Sequence, residues 1–158
     1  MQTGSAISKE QAGALYQTVS DLMVQSEARA VFVTDQGGNV LTSSHTMTES
    51  EVQTLAALAA GSFAATRELA AITGEGKFQA ISHEGEKGGI YVRCIADSFL
   101  IIVIFEKTTT LGLVKLYSAK AAHRLVGVLT QISTQTISSA RTEGVNFQLQ
   151  NSDSVFGN

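Results

Sequence analysis

The sequence predicts an α/β fold of the α+β sandwich kind: a five-stranded antiparallel sheet with helices covering its faces. Three observations carry that prediction. The hydrophobic pattern switches between helical and strand periods in the order helix, two strands, helix, three strands, helix. The last three strands are joined by short turns, and a parallel crossover needs a dozen or more residues. The longest wholly apolar run, Phe99 to Phe105, suits a buried strand and falls far short of the roughly 20 residues of a membrane span.

Each element has a local cause. Ser8 with Gln11 forms a capping box that opens a first helix, with Ala12, Leu15, Val19, Leu22 and Met23 on its apolar side. Ala30–Thr34 is a strand, Asp35–Asn39 a turn, and Val40–Ser44 the returning hairpin partner. Thr48 with Glu51 is a second capping box, starting a long helix that stops at Gly74. Phe78–Glu84 alternates weakly and suits an edge strand. The glycine-rich turn 85–89 leads into Ile90–Ile95, and Asp97-Ser98 turns the chain into Phe99–Phe105. A third helix is expected from about Thr110 to Thr136, with Leu111, Val114, Tyr117, Ala121, Leu125, Val128, Leu129 and Ile132 facing inward. Residues 1–136 then make one domain. Ser, Thr, Asn, Gln and Gly dominate residues 137–158, which are expected to form a flexible C-terminal tail.

Composition narrows the function. Eleven Lys and Arg against 14 Asp and Glu give a net charge of −3, so no basic surplus exists to neutralise nucleic-acid phosphates. Cys94 is the only cysteine, which excludes an intramolecular disulfide and any multi-cysteine metal site. The chain has no proline, where ordinary usage would give about eight. Its amino terminus lacks the basic start and apolar centre of a signal peptide, and the expected compartment is the cytoplasm.

A search for catalytic chemistry finds little. His45, His83 and His123 lie far apart, and none has the spacing of a metal ligand pair. Cys94 sits mid-strand among apolar neighbours, the setting of a small core residue. Glu49 and Glu51 complement a helix N-terminus, while Glu84 and Glu86 flank a turn. Neither glycine-rich stretch, 74–76 or 85–89, matches a phosphate-binding loop, and the second precedes a strand where a phosphate cradle needs a helix. No catalytic residue, cofactor or metal is expected.

The second helix carries the functional signal. A bulky stripe of Val52, Leu55, Leu58, Phe63, Leu69 and Ile72 is expected to seal one sheet face. A second stripe, Ala57, Ala60, Gly61, Ala64 and Ala71 with Glu68 among them, is small and nearly uncharged. Glycine inside a helix costs about 0.5–1 kcal/mol relative to alanine. Gly61 therefore points to a close approach by another backbone. Left bare, the stripe would be an exposed apolar patch, the usual mark of an interaction surface. The residues read as a homodimer and partner-binding platform built on this helix.

Leu58–Thr66, Gly74–Phe78, His83–Lys87, Val103–Phe105 and Thr110–Lys115, in that order, resemble the Roadblock family over about residues 8–135. The resemblance implies a Roadblock/profilin-like sheet with the second helix on one face and the first and third on the other. It implies no active site of the chain's own. It implies a homodimer joined through the second helix and the edge strand, with Ala57, Ala71, Phe78, Ala80 and Ser82 at that interface. It further implies a GTPase-activating role toward a small Ras-like GTPase of the MglA type, two chains per GTPase, in the control of cell polarity or motility. The GTPase-facing residues would be Ala60, Gly61, Ala64, Ala65, Arg67 and Glu68. Members of the family often have small residues where this chain has Arg67-Glu68. Val145, Phe147 and Leu149 are candidate tail contacts to the GTPase, tuning nucleotide exchange. No membrane insertion is expected, and a polar position in the cell is. Two other readings stay open: a Roadblock scaffold that binds without activating, and a ligand-sensing domain with a polar-lined cavity.

Overall fold

The computed structural model describes residues 7–155, with side chains described for residues 7–143. Eight elements follow in the expected order: α1 (Lys9–Gln25), β1 (Ala30–Asp35), β2 (Val40–His45), α2 (Glu49–Thr73), β3 (Ala80–Glu84), β4 (Gly88–Ile95), β5 (Phe99–Glu106) and α3 (Leu111–Val155). Both capping boxes form. Ser8 Oγ accepts from the Gln11 N–H at 3.1 Å while Gln11 Oε1 accepts from the Ser8 N–H at 3.0 Å. Thr48 and Glu51 repeat the exchange at the start of α2.

The five strands form one antiparallel sheet in the order β2-β1-β5-β4-β3. Hairpins supply the neighbours β1/β2, β3/β4 and β4/β5, while the apolar β5 lies at the centre beside β1. Alternation along the strands divides the core between two faces. Val31, Val33, Tyr91, Ile101 and Val103 pack beneath α1 and α3, with Leu15, Val19, Leu22, Leu125 and Leu129. Ala30, Phe32, Val92, Leu100 and Ile102 pack beneath α2. The two-plus-one division of helices is therefore present, and the fold is the Roadblock/profilin-like one. Val31, Val33, Ile101 and Val103 are fully buried, so the strand interiors are filled with apolar side chains.

The β1–β2 turn is anchored by Asp35. Its Oδ1 accepts from the backbone N–H of Gly37 and of Asn39, each at 2.9 Å, and its Oδ2 accepts from Asn39 Nδ2 at 2.8 Å. Gly38 in this turn has φ of +86° and lies against α2, where a Cβ would meet the Ala57 Cα at 2.7 Å. Positive φ and backbone proximity both demand glycine there. Gly38→Ala should therefore destabilise the fold by about 2–4 kcal/mol. Scanning calorimetry would register that as a melting point roughly 5–10 °C lower.

The third helix is longer than its composition suggests. Its backbone stays helical through Val155, well past the expected end near Thr136. The serines and threonines that read as a tail are accommodated by back-bonding. Thr130, Thr134, Thr136, Ser139 and Thr142 each donate a hydroxyl to the carbonyl four residues earlier. Without a proline, nothing interrupts the ladder. The packed body nevertheless ends near Ile132, since residues 134–143 are all exposed. The side chains of Val145, Phe147 and Leu149 lie outside the described residues.

Candidate functional site

Helix α2 rests on the sheet through Val52, Ala56, Ala60, Phe63, Thr66 and Ala70, all buried. This is not the bulky stripe expected from the sequence. Of that stripe, Val52 and Phe63 face the sheet, while Leu58, Leu69 and Ile72 are 66%, 57% and 82% exposed. The reason is complementary packing. Phe32, Leu100 and Ile102 already supply bulk from the strands, so the helix contributes alanines and sits close. Ala60, expected to face a partner, is one of those spacers and is 3% exposed.

The outward face is consequently more apolar than the sequence reading allowed. Gly61, Ala64, Ala65 and Glu68 lie exposed along it, and Leu58, Leu69 and Ile72 join them. A Cβ on Gly61 would meet nothing within 4 Å. The close approach expected at Gly61 is thus not made by this chain. Among the described residues, α2 is the one helix long and apolar enough to cross a membrane, yet its inner stripe is seated on the sheet. What it leaves uncovered is a face of small and apolar residues interrupted by Glu68.

The two flanks of α2 differ. Ala57 faces the β1–β2 turn, against Gly38. Ala71 lies fourteen residues on, close to four helical turns, and shares that flank. Leu55, Leu58, Ala59 and Ser62 face the other way, toward β3 and β4, and with His83, Ile90, Ile102 and Ile104 they line a hollow of about 390 Å³. Ser62 Oγ and His83 Nε2 meet at 3.3 Å across it. The expected interface residues therefore separate. Phe78, Ala80 and Ser82 lie at the β3 edge, while Ala57 and Ala71 sit on the flank turned away from it. Leu58 is the α2 residue that sequence reasoning missed on the β3 side. Its signal was the phase set by Val52, Ala56 and Phe63.

Strand β3 is an open edge. The Cys94 N–H donates to the Gln79 carbonyl at 3.0 Å, and the Gly85 N–H to the Gly88 carbonyl at 2.8 Å. In an antiparallel ladder these bonded pairs alternate, so the backbone groups of Ala80, Ser82 and Glu84 point to the open side. No proline blocks them.

Arg67 is held within the chain. Its Nη1 donates to Gln36 Oε1 at 2.6 Å, and its guanidinium lies 5.5 Å from the Phe63 ring centre. Gln36 in turn donates to the Asp97 carbonyl, and the Asp97 carboxylate pairs with Lys77. The hydrogen bond from Lys77 holds the Asp97 carboxyl below its ordinary range and raises the Lys77 ammonium. The chain of contacts joins α2, the β1–β2 turn, the β4–β5 turn and the segment before β3. In the β4–β5 turn both Ala96 and Asp97 have positive φ, 50° and 58°. Among the described residues no three His, Cys, Asp or Glu side chains gather as a metal site. His45 is engaged locally, its Nδ1 accepting from the Met47 N–H and its Nε2 3.2 Å from Glu49.

A sheet with one helix seated on small residues, an apolar outer helix face and a bare edge strand is matched by the Roadblock/LC7 domain over residues 15–105. The chain belongs to the Roadblock/LC7 family. At the level of the family it is a regulatory domain of the GTPase-regulator type rather than a catalytic one. Myxococcus xanthus MglB superposes with a TM-score of 0.74 at 29% identity, covering 80% of this chain and 96% of that one. The gliding protein MglB of Thermus thermophilus gives 0.70 at 29%, covering 83% and 95%. A further MglB structure, described as a tetrameric arrangement, gives 0.70 at 29%, covering 84% and 95%. No curated protein matches the chain by sequence.

Proposed function

We propose that this Roadblock chain is a homodimeric regulator of a small Ras-like GTPase of the MglA type, two copies engaging one GTPase. The observation that carries the reading is the outer face of α2, where Gly61 opens onto empty space amid Ala64, Ala65, Leu58 and Leu69. Such a face offers a partner's backbone close contact and offers little charge chemistry. The resemblance to MglB supports the choice of a small GTPase as the partner. Two β3 edges joining would bring two such faces together as one platform. Its role is to stimulate GTP hydrolysis by reordering the switch loops of the GTPase, so that the GTPase completes its own site. The protein acts in the cytoplasm, in a polar position, in control of polarity or motility. The extension of α3 carrying Val145, Phe147 and Leu149 reaches toward the same GTPase.

The test is GTP turnover by the cognate GTPase with and without this protein. Acceleration supports the proposal, and binding without acceleration identifies a scaffold. The engagement of Arg67 with Gln36 and Phe63 supports the indirect route, since a guanidinium already held by two contacts is poorly placed to reach a phosphate. Arg67→Ala should keep stimulated turnover within about threefold while costing roughly 1 kcal/mol of stability. Collapse of turnover with GTPase binding intact would instead make Arg67 a catalytic arginine supplied in trans.

A further inference from the structure

Arg93 on β4 lies opposite Ala80 on the edge strand, and both face the α1 and α3 side of the sheet. Its Nη1 reaches the Tyr91 hydroxyl at 3.5 Å, and its buried Nε has no hydrogen-bond partner. Glu84, on the same strand and the same face as Ala80, is exposed. Neither Arg93 nor Glu84 belongs to any of the ion pairs among the described residues, which are His45–Glu49, Lys77–Asp97 and Arg124–Asp21. A guanidinium with an unpartnered Nε and a carboxylate outside every ion pair thus stand at one short edge.

We infer that two copies pair through β3 in the register centred on Ser82, and that Arg93 of each copy reaches over Ala80 to Glu84 of the partner subunit. This rests on the β3-joined dimer proposed above and adds its register and its charge code. The outward-facing backbone groups belong to Ala80, Ser82 and Glu84, symmetric about Ser82. Centring on Ser82 pairs Ser82 with its own copy and Ala80 with the partner's Glu84, so every outward donor and acceptor of the strand is used. A slip of two residues leaves one end of each strand unpaired. Antiparallel strands at about 4.8 Å spacing place the Arg93 and partner Glu84 backbones about 10 Å apart, within reach of an extended Arg and Glu. Ala80 between them is small enough to pass over. Symmetry makes two such pairs per dimer.

The symmetry also supplies a sharp test, read on the full chain by sedimentation velocity and native mass spectrometry. Glu84→Arg sets Arg against Arg across the interface, and Arg93→Glu sets Glu against Glu. Each variant alone should dimerise at least about tenfold more weakly than wild type. Mixed together, the two should form a heterodimer with both pairs restored, one in the native sense and one reversed, at close to wild-type affinity. Glu84 is exposed, so its reversal leaves the fold intact. Should Arg93→Glu fail to fold, Arg93→Gln replaces it, and combining it with Glu84→Gln should weaken the dimer no further than either alone. A wild-type dimer with single variants that associate normally, or a mixture that stays monomeric, overturns the ion pair and its register. A wild-type chain that is monomeric throughout overturns the dimer itself.

Discussion

Ala64→Arg should abolish binding to the proposed GTPase partner while leaving the fold and its melting point essentially unchanged. Ala64 is exposed on the outer face of α2, beside Gly61 and away from the buried Ala60, so the monomer has room for the larger side chain. Arginine is also a good helix former, and the helix loses little by the change. A partner backbone approaching the small-residue face meets both a steric block and an uncompensated charge. Placing an unpaired charge in such a contact costs several kcal/mol, equivalent to at least about a hundredfold in affinity. Titration calorimetry against the GTP-loaded partner is the direct measurement. Tight binding by the variant would move the docking surface off this face of α2.

The second large effect is expected at the sheet edge. Ser82→Pro removes the outward N–H at the centre of β3 and fills its place with a ring. Proline is tolerated at an edge strand in the monomer, because the inward hydrogen bonds of β3 belong to its odd-numbered residues. The chain should remain folded, with only a small loss in melting temperature. Dimerisation should weaken by about a hundredfold or more, and stimulated GTP turnover should fall with it at micromolar concentration. Light scattering separates these outcomes from unfolding. A dimer of normal strength in Ser82→Pro would mean that copies associate through α2 alone.

The parts of this molecule that were legible in its sequence are those governed by local chemistry. Ser8 with Gln11 and Thr48 with Glu51 marked two helix starts, and Gly74, at φ of +76°, marked a stop. Strand limits fell within about two residues because β5 and β1 are dense in β-branched residues and the hairpin turns carry their own signals. The facing of α2 was harder to read. Assigning leucines to the core is a sound rule where a helix supplies the bulk, and it failed here because Phe32, Leu100 and Ile102 supply it instead. That phase error placed Ala60 outside and Leu58 inside. The bond that holds Arg67 was not legible either, since its partner Gln36 stands thirty-one residues away and no spacing announces the pair. The end of α3 was obscured because serine and threonine read as loop formers unless their hydroxyls are known to turn back on the helix.

The open space around Gly61 has a consequence for how such a chain can change. Alanine at that position would meet no neighbouring atom and would lose less freedom on entering the helix, a gain of about 0.5–1 kcal/mol. It is therefore among the simplest stabilising substitutions this protein has at hand. A lineage screened for thermal endurance alone should take it early, and a lineage that must also keep its partner should refuse it. Laboratory selection under those two regimes would turn one glycine into a record of which demand was being met.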